Sequence, residues 1–433
     1  MTDDTQATAD YIAAAAKAAW EVPDLAPGTA VRPVGSVGII GAGTMGGGIA
    51  MNFATAGVPV TIVETKTAAL ERGLATVRKN YQRSADRGRF PADEVDTRMG
   101  RITGTLSMAD LGDCDLIIEA VFEDLELKKS IFAELDRIAK PGAILATNTS
   151  GLDIDAIAAE TGRPGDVIGL HFFSPANVMK LLEIVRAAKT ADDVVATSMA
   201  MARDIGKVAA LVGVCPGFVG NRILRQRQVQ ANRLVFQGVM PWDVDRALNE
   251  FGFRMGPFQM SDLAGLDIGW KKGATTENPI RDALCEMDRR GQKTGAGYYD
   301  YGTDRQPLPS TVTEQVIAEI TGADPKAGRP MSAEQIIEAC IYPMINEGVR
   351  ILEDGKAQRA SDIDVIWLNG YGWPADKGGP MYYGDRIGAK KVLDVMERIA
   401  AKDDRFAPAE TLKDLAASGG KFTEIDKGGL RVG

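Results

Sequence analysis

A glycine-rich loop between a short apolar strand and a helix constrains this chain more than any other feature. Residues 36–40 are typical of a buried strand, and Gly41, Gly43 and Gly46 follow at once. Gly41 allows a tight turn, Gly43 lets a pyrophosphate approach the backbone, and Gly46 lets the helix pack closely on the strand. This spacing, directly after a strand, predicts a dinucleotide-binding loop.

The segment after the loop supports this prediction. A helix is predicted over residues 44–56, and its first N–H groups, at Thr44 and Met45, would face the phosphates. Residues 58–64 predict a second strand that ends in Glu64. A carboxylate there can bond a ribose 2′-OH and would repel a 2′-phosphate, which favours NAD over NADP. The alternative is a glycine-rich turn that binds no nucleotide.

The next segments continue the alternation of strand and helix. Residues 68–104 predict a helical excursion, 115–119 a strand, 128–139 a helix and 143–147 another strand. We therefore predict an α/β Rossmann-type dinucleotide-binding domain over residues 35–214. Residues 1–34 predict an appendage, an alanine-rich helix followed by a linker rich in proline and glycine.

Candidate catalytic residues follow the predicted strand ends, where open α/β sheets bind ligands. Glu123 and Ser150 follow two such ends, and His171, the only histidine of the chain, follows a third. A predicted hairpin brings Glu183 beside His171, and such a carboxylate would orient the ring and stabilise its cation. Ser150 and Asn221 can then hold a substrate oxygen. The alternatives are a buried structural histidine and a surface position for Glu183.

Composition excludes several function classes. The net charge of −9 over 433 residues gives no support for nucleic-acid binding. One histidine and four separated cysteines make a transition-metal site improbable, so no metal is predicted. The acidic N-terminus does not resemble a signal peptide, and no uncharged run reaches membrane-spanning length. These features predict a cytoplasmic protein with no membrane partner.

The second half is predominantly helical and contains an internal repeat. Five residues of the first copy match five of the second in order: Gly238, Asp245, Gly252, Gly256 and Pro257 match Gly355, Asp364, Gly372, Gly379 and Pro380. We predict two tandem all-α domains, at residues 215–310 and 311–433. Aromatic residues of the second copy either pack its core or shape a substrate pocket: Trp367, Tyr371, Trp373, Tyr382 and Tyr383.

Several motifs together resemble the L-3-hydroxyacyl-CoA dehydrogenases, most of all the dehydrogenase part of peroxisomal-type multifunctional β-oxidation enzymes. The resemblance covers nearly all of residues 15–433 and rests on these stretches: SVGIIGAGTMGGGIA (36–50), IIEAVFEDLELKK (117–129), TNTSGLDI (147–154), GLHFFSPANVMKLLEIV (169–185), CPGFVGNR (215–222), GPFQMSDLAGLD (256–267) and GQKTGAGYYDY (291–301). It implies that the helical domains are dehydrogenase C-terminal domains.

The resemblance also implies residue roles. His171 would be the base, Glu183 its partner, and Ser150 and Asn221 would hold the reacting oxygen. The positions similar to cofactor contacts are Glu64, Glu123, Lys128, Ser150, Ser174 and Lys293. Two positions depart from the family pattern: Gly151 replaces the last serine of a Thr-Ser-Ser run, and Ser174 replaces an asparagine of the simple dehydrogenases. CoA-contact residues carry over poorly, since Asn80 and Arg87 stand near the places where the family has a serine and a lysine. The basic helical segment 72–89 is either a CoA phosphate site or a solvated face.

The resulting hypothesis is reversible, NAD-dependent oxidation of (3S)-3-hydroxyacyl-CoA to 3-oxoacyl-CoA in fatty-acid metabolism. Two alternatives stay open: a related dehydrogenase of a small hydroxy acid without CoA, and a non-catalytic NAD-binding relative. Because the repeat can supply a partner surface internally, we expect a monomer or a weak oligomer, with a separate hydratase or thiolase as a possible partner.

Overall fold

The computed structural model of the protein describes residues 2–273, 275–322, 324 and 331–430. The chain divides into two compact units. The first unit comprises residues 1–222, 350–371 and 423–433, and the second comprises residues 223–349 and 372–422. The first unit is therefore assembled from three separate stretches of the chain.

An eight-stranded sheet forms the centre of the first unit, in the order β3-β2-β1-β4-β5-β6-β7-β8. Strands β1 to β6 run parallel, whereas β7 pairs antiparallel with β6 and parallel with β8. Most strands are short, apolar and buried, as expected for a sheet covered on both faces. The strands are β1 Val37–Ile40, β2 Val60–Val63, β3 Ile102–Thr105, β4 Leu116–Glu119, β5 Ile144–Thr147, β6 Val167–Phe172, β7 Leu181–Arg186 and β8 Val208–Gly213. The predicted Rossmann-type sheet is confirmed.

Helices alternate with these strands. In the chain segment before residue 222 they are α1 Thr2–Ala18, α2 Thr44–Thr55, α3 Thr67–Asp86, α4 Glu94–Met99, α5 Leu125–Ile138, α6 Ile154–Ala158 and α7 Asp192–Asp204. Local capping sets the start of α5, because the Asp124 side chain accepts a hydrogen bond from the N–H of Leu127 at 2.8 Å. The helix therefore begins directly after the loop that carries Glu123.

The predicted helical excursion over residues 68–104 is wrong at its end, because β3 occupies Ile102–Thr105. Only one residue of this strand, Ile102, is a large apolar residue, so the periodicity of the sequence is too weak to show it. Gly104 lets the strand lie close to α3, since a Cβ there would be 3.0 Å from side-chain atoms of Leu70 and Leu74.

The N-terminal helix α1 packs against α14 (Ala360–Gly370), which belongs to the same unit. Ala15 and Ala19 are buried in a small core with Val365. The Tyr11 hydroxyl donates to the Asp364 carboxylate at 2.6 Å. The helix is therefore part of the first unit, and the expectation of an appendage is wrong because its alanine face is covered.

The middle stretch of the first unit, residues 350–371, also covers the edge strand of the sheet. Val212 of β8 forms a bridge with Ala357, and Gly213 N–H donates to the Lys356 carbonyl at 2.9 Å. Helix α14 packs on β7 and β8 as well, with Gly370 so close to Leu181 that a Cβ would lie 2.3 Å from its side chain.

The second unit is mainly helical. Its helices are α8 Gly220–Phe236, α9 Pro241–Phe251, α10 Pro257–Ala264, α11 Pro279–Glu286, α12 Thr311–Thr321, α13 Ala333–Glu353, α15 Pro380–Ile387, α16 Ala389–Ala400 and α17 Glu410–Ser418. Helix α8 begins in the first unit and α13 ends in it. A hairpin of β9 (Tyr299–Tyr301) and β10 (Pro307–Pro309) lies between α11 and α12 in the chain. Among the residues the structure describes, no helix is both long enough and apolar enough to cross a bilayer.

One carboxylate organises the first repeat of this unit. Asp245 is buried and accepts hydrogen bonds from the N–H groups of Phe258 and Gln259 and from the Tyr299 hydroxyl, at 2.7–3.0 Å. Gly256 is required here, because a Cβ would lie 2.2 Å from the carboxylate. The matching aspartate of the second repeat, Asp364, receives its tyrosine from α1 instead.

Candidate active site

The glycine-rich loop has the geometry of a phosphate-binding turn. Gly41 adopts a φ of +102°, and a Cβ on it would lie 2.8 Å from the carbonyl oxygen of Ala120. A Cβ on Gly46 would lie 1.9 Å from the carbonyl oxygen of Gly41. Nothing lies within 4 Å of a Cβ placed on Gly43, so the backbone is open to a ligand there. The residues present fit a bound pyrophosphate at the N-terminus of α2.

Thr44 and Met45 start α2 beside this opening. Thr44 is exposed and Met45 is half-buried. The helix cap, Gly43, has no side chain to satisfy the first N–H groups, which leaves them available to an anion.

Glu64 lies at the end of β2, next to the loop. One of its carboxylate oxygens accepts a hydrogen bond from the Ala42 N–H at 3.1 Å, and the other accepts from Thr65 N–H at 2.9 Å. These two bonds hold the carboxylate against the loop, in the position predicted from the sequence for a ribose-binding acid.

The predicted hairpin is confirmed, and it places the histidine and the glutamate side by side. His171 of β6 and Glu183 of β7 are direct register partners, and Nδ1 of the ring is 2.7 Å from Oε2 of the carboxylate. Both residues are buried, at 6% and 0% exposure. The other carboxylate oxygen accepts the Gly220 N–H at 2.9 Å. With Nδ1 held by Glu183, Nε2 is the ring nitrogen that can exchange a proton.

Two aromatic rings hold the imidazole. The ring centroid of Phe173 is 4.4 Å from that of His171, and that of Phe218 is 5.6 Å away. The histidine is therefore both packed and paired with an acid, and the alternative of a surface position for Glu183 is wrong because this residue is fully buried.

Ser150, Glu123 and Asn221 form a second polar group. Glu123 accepts hydrogen bonds from the Thr149 hydroxyl and from both the N–H and the hydroxyl of Ser150, at 2.7–2.8 Å. The Asn221 amide donates to the Ser150 carbonyl at 3.2 Å. Burial opposes ionisation of Glu123, but these donors and the Lys128 cation outweigh it and lower the pKa of the carboxyl.

Lys128 lies behind this group and not at its surface. Its side chain is fully buried, with Nζ 2.7 and 2.9 Å from the two oxygens of Glu119 and 3.7 Å from Glu123. Thr147 also donates to Glu119, at 2.7 Å. The burial of Lys128 therefore does not support a direct contact with the cofactor. Its charge acts on the neighbouring carboxylate of Glu123 instead.

The other positions that the family pattern singles out are Ser174, Lys293 and Gly151. Ser174 is exposed on the loop that joins β6 and β7. Lys293 belongs to the second unit, where it pairs with Asp267. The departure at Gly151 has a steric reason, since a Cβ there would lie 2.6 Å from the backbone nitrogen of Gly217.

Two residues that hold these side chains were not predicted from the sequence: Glu119, which binds Lys128, and Gly220, which binds Glu183. Glu119 could have been found, because it is a charged residue inside an otherwise apolar strand. Gly220 could not, because only the fold brings its N–H to Glu183. Over the part of the chain that the structure describes, no cluster of three or more histidine, cysteine, aspartate or glutamate side chains is arranged to hold a metal ion.

Comparison with known proteins gives this arrangement a family. The profile described as "3-hydroxyacyl-CoA dehydrogenase, NAD binding domain" matches residues 36–215, and that of the "3-hydroxyacyl-CoA dehydrogenase, C-terminal domain" matches residues 217–301 and 336–430. The chain belongs to the 3-hydroxyacyl-CoA dehydrogenase family. The resemblance inferred from the sequence is thus confirmed, as are NAD as the cofactor and oxidoreduction as the reaction class.

Individual members of the 3-hydroxyacyl-CoA dehydrogenase family show the extent of the similarity. The chain is 43% identical to the peroxisomal bifunctional enzyme of Cavia porcellus, over 92% of this chain and 59% of that protein. The dehydrogenase part of multifunctional enzyme 1 from C. elegans is 31% identical, with a TM-score of 0.68 and coverage of 93% and 96%. The 3-hydroxybutyryl-CoA dehydrogenase of Escherichia coli K12 is 28% identical, with a TM-score of 0.76 and coverage of 90% and 100%.

Proposed function

We propose that the chain catalyses the reversible, NAD-dependent oxidation of (3S)-3-hydroxyacyl-CoA to 3-oxoacyl-CoA. The observation that carries the proposal is the buried pair of His171 and Glu183, within the NAD-binding domain of this family. The chain spans 59% of the length of the bifunctional relative from Cavia porcellus, so the proposal concerns the dehydrogenase reaction alone.

NAD would be held by the loop from Gly41 to Gly46 and by Glu64, and when bound it supplies the hydride acceptor. Nε2 of His171 takes the hydroxyl proton of the substrate during oxidation. Glu183 stabilises the resulting imidazolium, because its carboxylate is held by Gly220 and faces Nδ1. In the direction of reduction, the same imidazolium returns the proton to the substrate oxygen.

Asn221 and Ser150 would position the reacting oxygen. The Asn221 NH₂ group donates to the Ser150 carbonyl at 3.2 Å, so the two proposed positioning residues are in direct contact. The Ser150 hydroxyl donates to Glu123 in the structure, and it would have to turn toward the substrate to donate to the reacting oxygen, because the single proton of that oxygen goes to His171. Ser174 and Lys293 stay proposed cofactor contacts on the basis of the family pattern.

The test is NADH formation from (3S)-3-hydroxybutyryl-CoA, with free 3-hydroxybutyrate as the comparison. We expect turnover of the CoA ester only. Turnover of the free acid without the ester would instead support a small hydroxy acid dehydrogenase. NAD binding without turnover of either compound would support a non-catalytic relative.

We also propose that the protein is a monomer or a weak oligomer in solution, because the second repeat can supply internally the surface that, by the family pattern, a partner subunit would provide. Sedimentation that shows a dimer joined through residues 215–300 would contradict this. A cytoplasmic location and a separate hydratase or thiolase partner stay predictions. The relative from Cavia porcellus is named peroxisomal, so localisation of the tagged chain is the direct test.

A further inference from the structure

Tyr371, the residue that follows α14, contacts one of the proposed substrate-positioning residues. Its hydroxyl donates a hydrogen bond to Oδ1 of Asn221 at 2.8 Å. Because the tyrosine hydroxyl can both donate and accept, the orientation of the amide is set by its other partner, a carbonyl that can only accept. The NH₂ end then faces the Ser150 carbonyl, at 3.2 Å.

The tyrosine ring has little freedom to move. It stacks on Trp367 with the ring centroids 4.6 Å apart, and it contacts the edge of Phe173, whose own ring packs on His171. On its other side the ring lies against the backbone of Gly220, where a Cβ would be 2.3 Å from a ring carbon. Packing therefore fixes the hydroxyl where it meets Asn221.

The hydroxyl stays protonated under assay conditions. Burial, together with the nearby Glu183 carboxylate, raises the pKa of Tyr371 well above its ordinary value. The group is therefore a hydrogen-bond donor throughout the pH range in which the enzyme would be assayed.

The internal repeat keeps an aromatic ring at this position but not the hydroxyl. Tyr371 directly precedes Gly372, which matches Gly252 of the first repeat, and Gly252 is preceded by Phe251. The equivalent ring in the first repeat thus has no hydroxyl and packs among aromatic residues, Phe253, Trp373 and Tyr383.

We propose that Tyr371 is a positioning residue for the dehydrogenase reaction, which fixes the Asn221 amide with its NH₂ group toward the reacting oxygen of the substrate. The inference rests on the proposed function, in which Asn221 contacts that oxygen. Without the tyrosine hydroxyl, Oδ1 loses its donor and only the 3.2 Å bond to the Ser150 carbonyl holds the amide, so the NH₂ group is less firmly held toward the substrate oxygen.

The test is a double-mutant cycle of Tyr371→Phe and Asn221→Ala, with kcat and KM measured for 3-hydroxybutyryl-CoA and for NAD. Tyr371→Phe keeps the ring and its packing on Trp367. We expect it to lower kcat about tenfold while the KM for NAD stays unchanged. In the Asn221→Ala background the same change should have no further effect, because the amide through which it acts is gone.

Tyr11→Phe is the matched control, since it removes a hydroxyl that also donates to a side chain of the second repeat, Asp364. It should leave kcat within about twofold of the wild type. If the wild type is active but Tyr371→Phe keeps full activity, or lowers kcat equally in both backgrounds, the positioning role is wrong and the proposed function stands. If the wild type does not oxidise the CoA ester, the proposed function fails and the positioning role fails with it.

Discussion

The backbone N–H of Gly220 donates to Oε1 of Glu183 at 2.9 Å. Because Oε2 of the same carboxylate holds His171, and because Gly220 directly precedes Asn221, one acid connects the proposed base with the residue proposed to bind the substrate oxygen. The base and this residue are thus positioned relative to each other by a buried group that no substrate needs to touch.

His171→Ala should lower kcat for 3-hydroxybutyryl-CoA by about a hundredfold or more, because the proton acceptor is removed. The measurement is initial-rate NADH formation, and NAD binding by titration is the control, since the glycine loop is unchanged. A variant that keeps the wild-type kcat would exclude His171 as the base.

Glu183→Gln should lower kcat by at least about a hundredfold, through the tautomer of the histidine. If the new amide oxygen keeps the bond from Gly220, its NH₂ group faces Nδ1, and the ring proton must then sit on Nε2, where it blocks proton uptake. Glu160→Gln, which removes an exposed acid paired with Lys129, is the matched control. Equal rates for the two variants would argue against the pair.

Two glycine substitutions in the loop should separate ligand binding from folding. Gly43→Ala meets no protein atom within 4 Å, so we expect an unchanged unfolding midpoint and an NAD Kd raised at least about tenfold. Gly46→Ala places a methyl group 1.9 Å from the Gly41 carbonyl oxygen, and should cost roughly 1–3 kcal/mol of stability or more. Calorimetric titration and thermal unfolding measure the two effects. Unchanged NAD affinity in Gly43→Ala would show that the pyrophosphate lies elsewhere.

Glu64→Gln should weaken the preference for NAD over NADP. The amide can still accept the Ala42 N–H, but the negative charge that repels a 2′-phosphate is gone. We expect the ratio of kcat/KM values for the two cofactors to fall by about tenfold. A ratio equal to that of the wild type would mean that Glu64 does not face the ribose.

Asp245→Asn should change how stability depends on pH. Burial raises the pKa of Asp245 to about 6, although Phe258, Tyr299 and Gln259 donate to it. Because the folded-state pKa lies above the ordinary 3.8, the protonated carboxyl stabilises the fold below about pH 4, and this contribution is lost as the pH rises through 6. As the pH rises from 4 to 7, the wild type should therefore lose stability that the neutral variant keeps. The free energy of unfolding in urea, measured for both proteins across this range, should shift in favour of the variant. A constant difference would show that the pKa is not raised.

The first unit was largely predictable because strong local signals mark its elements. The loop at Gly41 to Gly46 combines a strand, a turn and a helix in one continuous segment, and the hairpin of His171 and Glu183 is a local pairing. Strand β3 was missed because its apolar content is low. The contact of Glu183 with His171 follows from the hairpin, but its contact with Gly220 and the contact of Glu119 with Lys128 depend on how separate elements pack.

The role proposed for Tyr371 shows the limit of pattern reading. The sequence places this residue in an aromatic cluster 150 positions from Asn221, and packing was the default interpretation. Only the return of residues 350–371 to the first unit brings the hydroxyl to the amide. No periodicity or spacing in the sequence encodes that return.

Residues 350–371 bind the edge strand β8, so truncation of the chain before them should affect the folding of the first unit. A premature stop codon after the first repeat would spare every residue of the glycine loop and the histidine–glutamate pair. It would nevertheless strip the partner from Val212 and Gly213 and leave an open strand edge prone to aggregation. Such an allele should therefore behave as a folding defect rather than as a catalytic one.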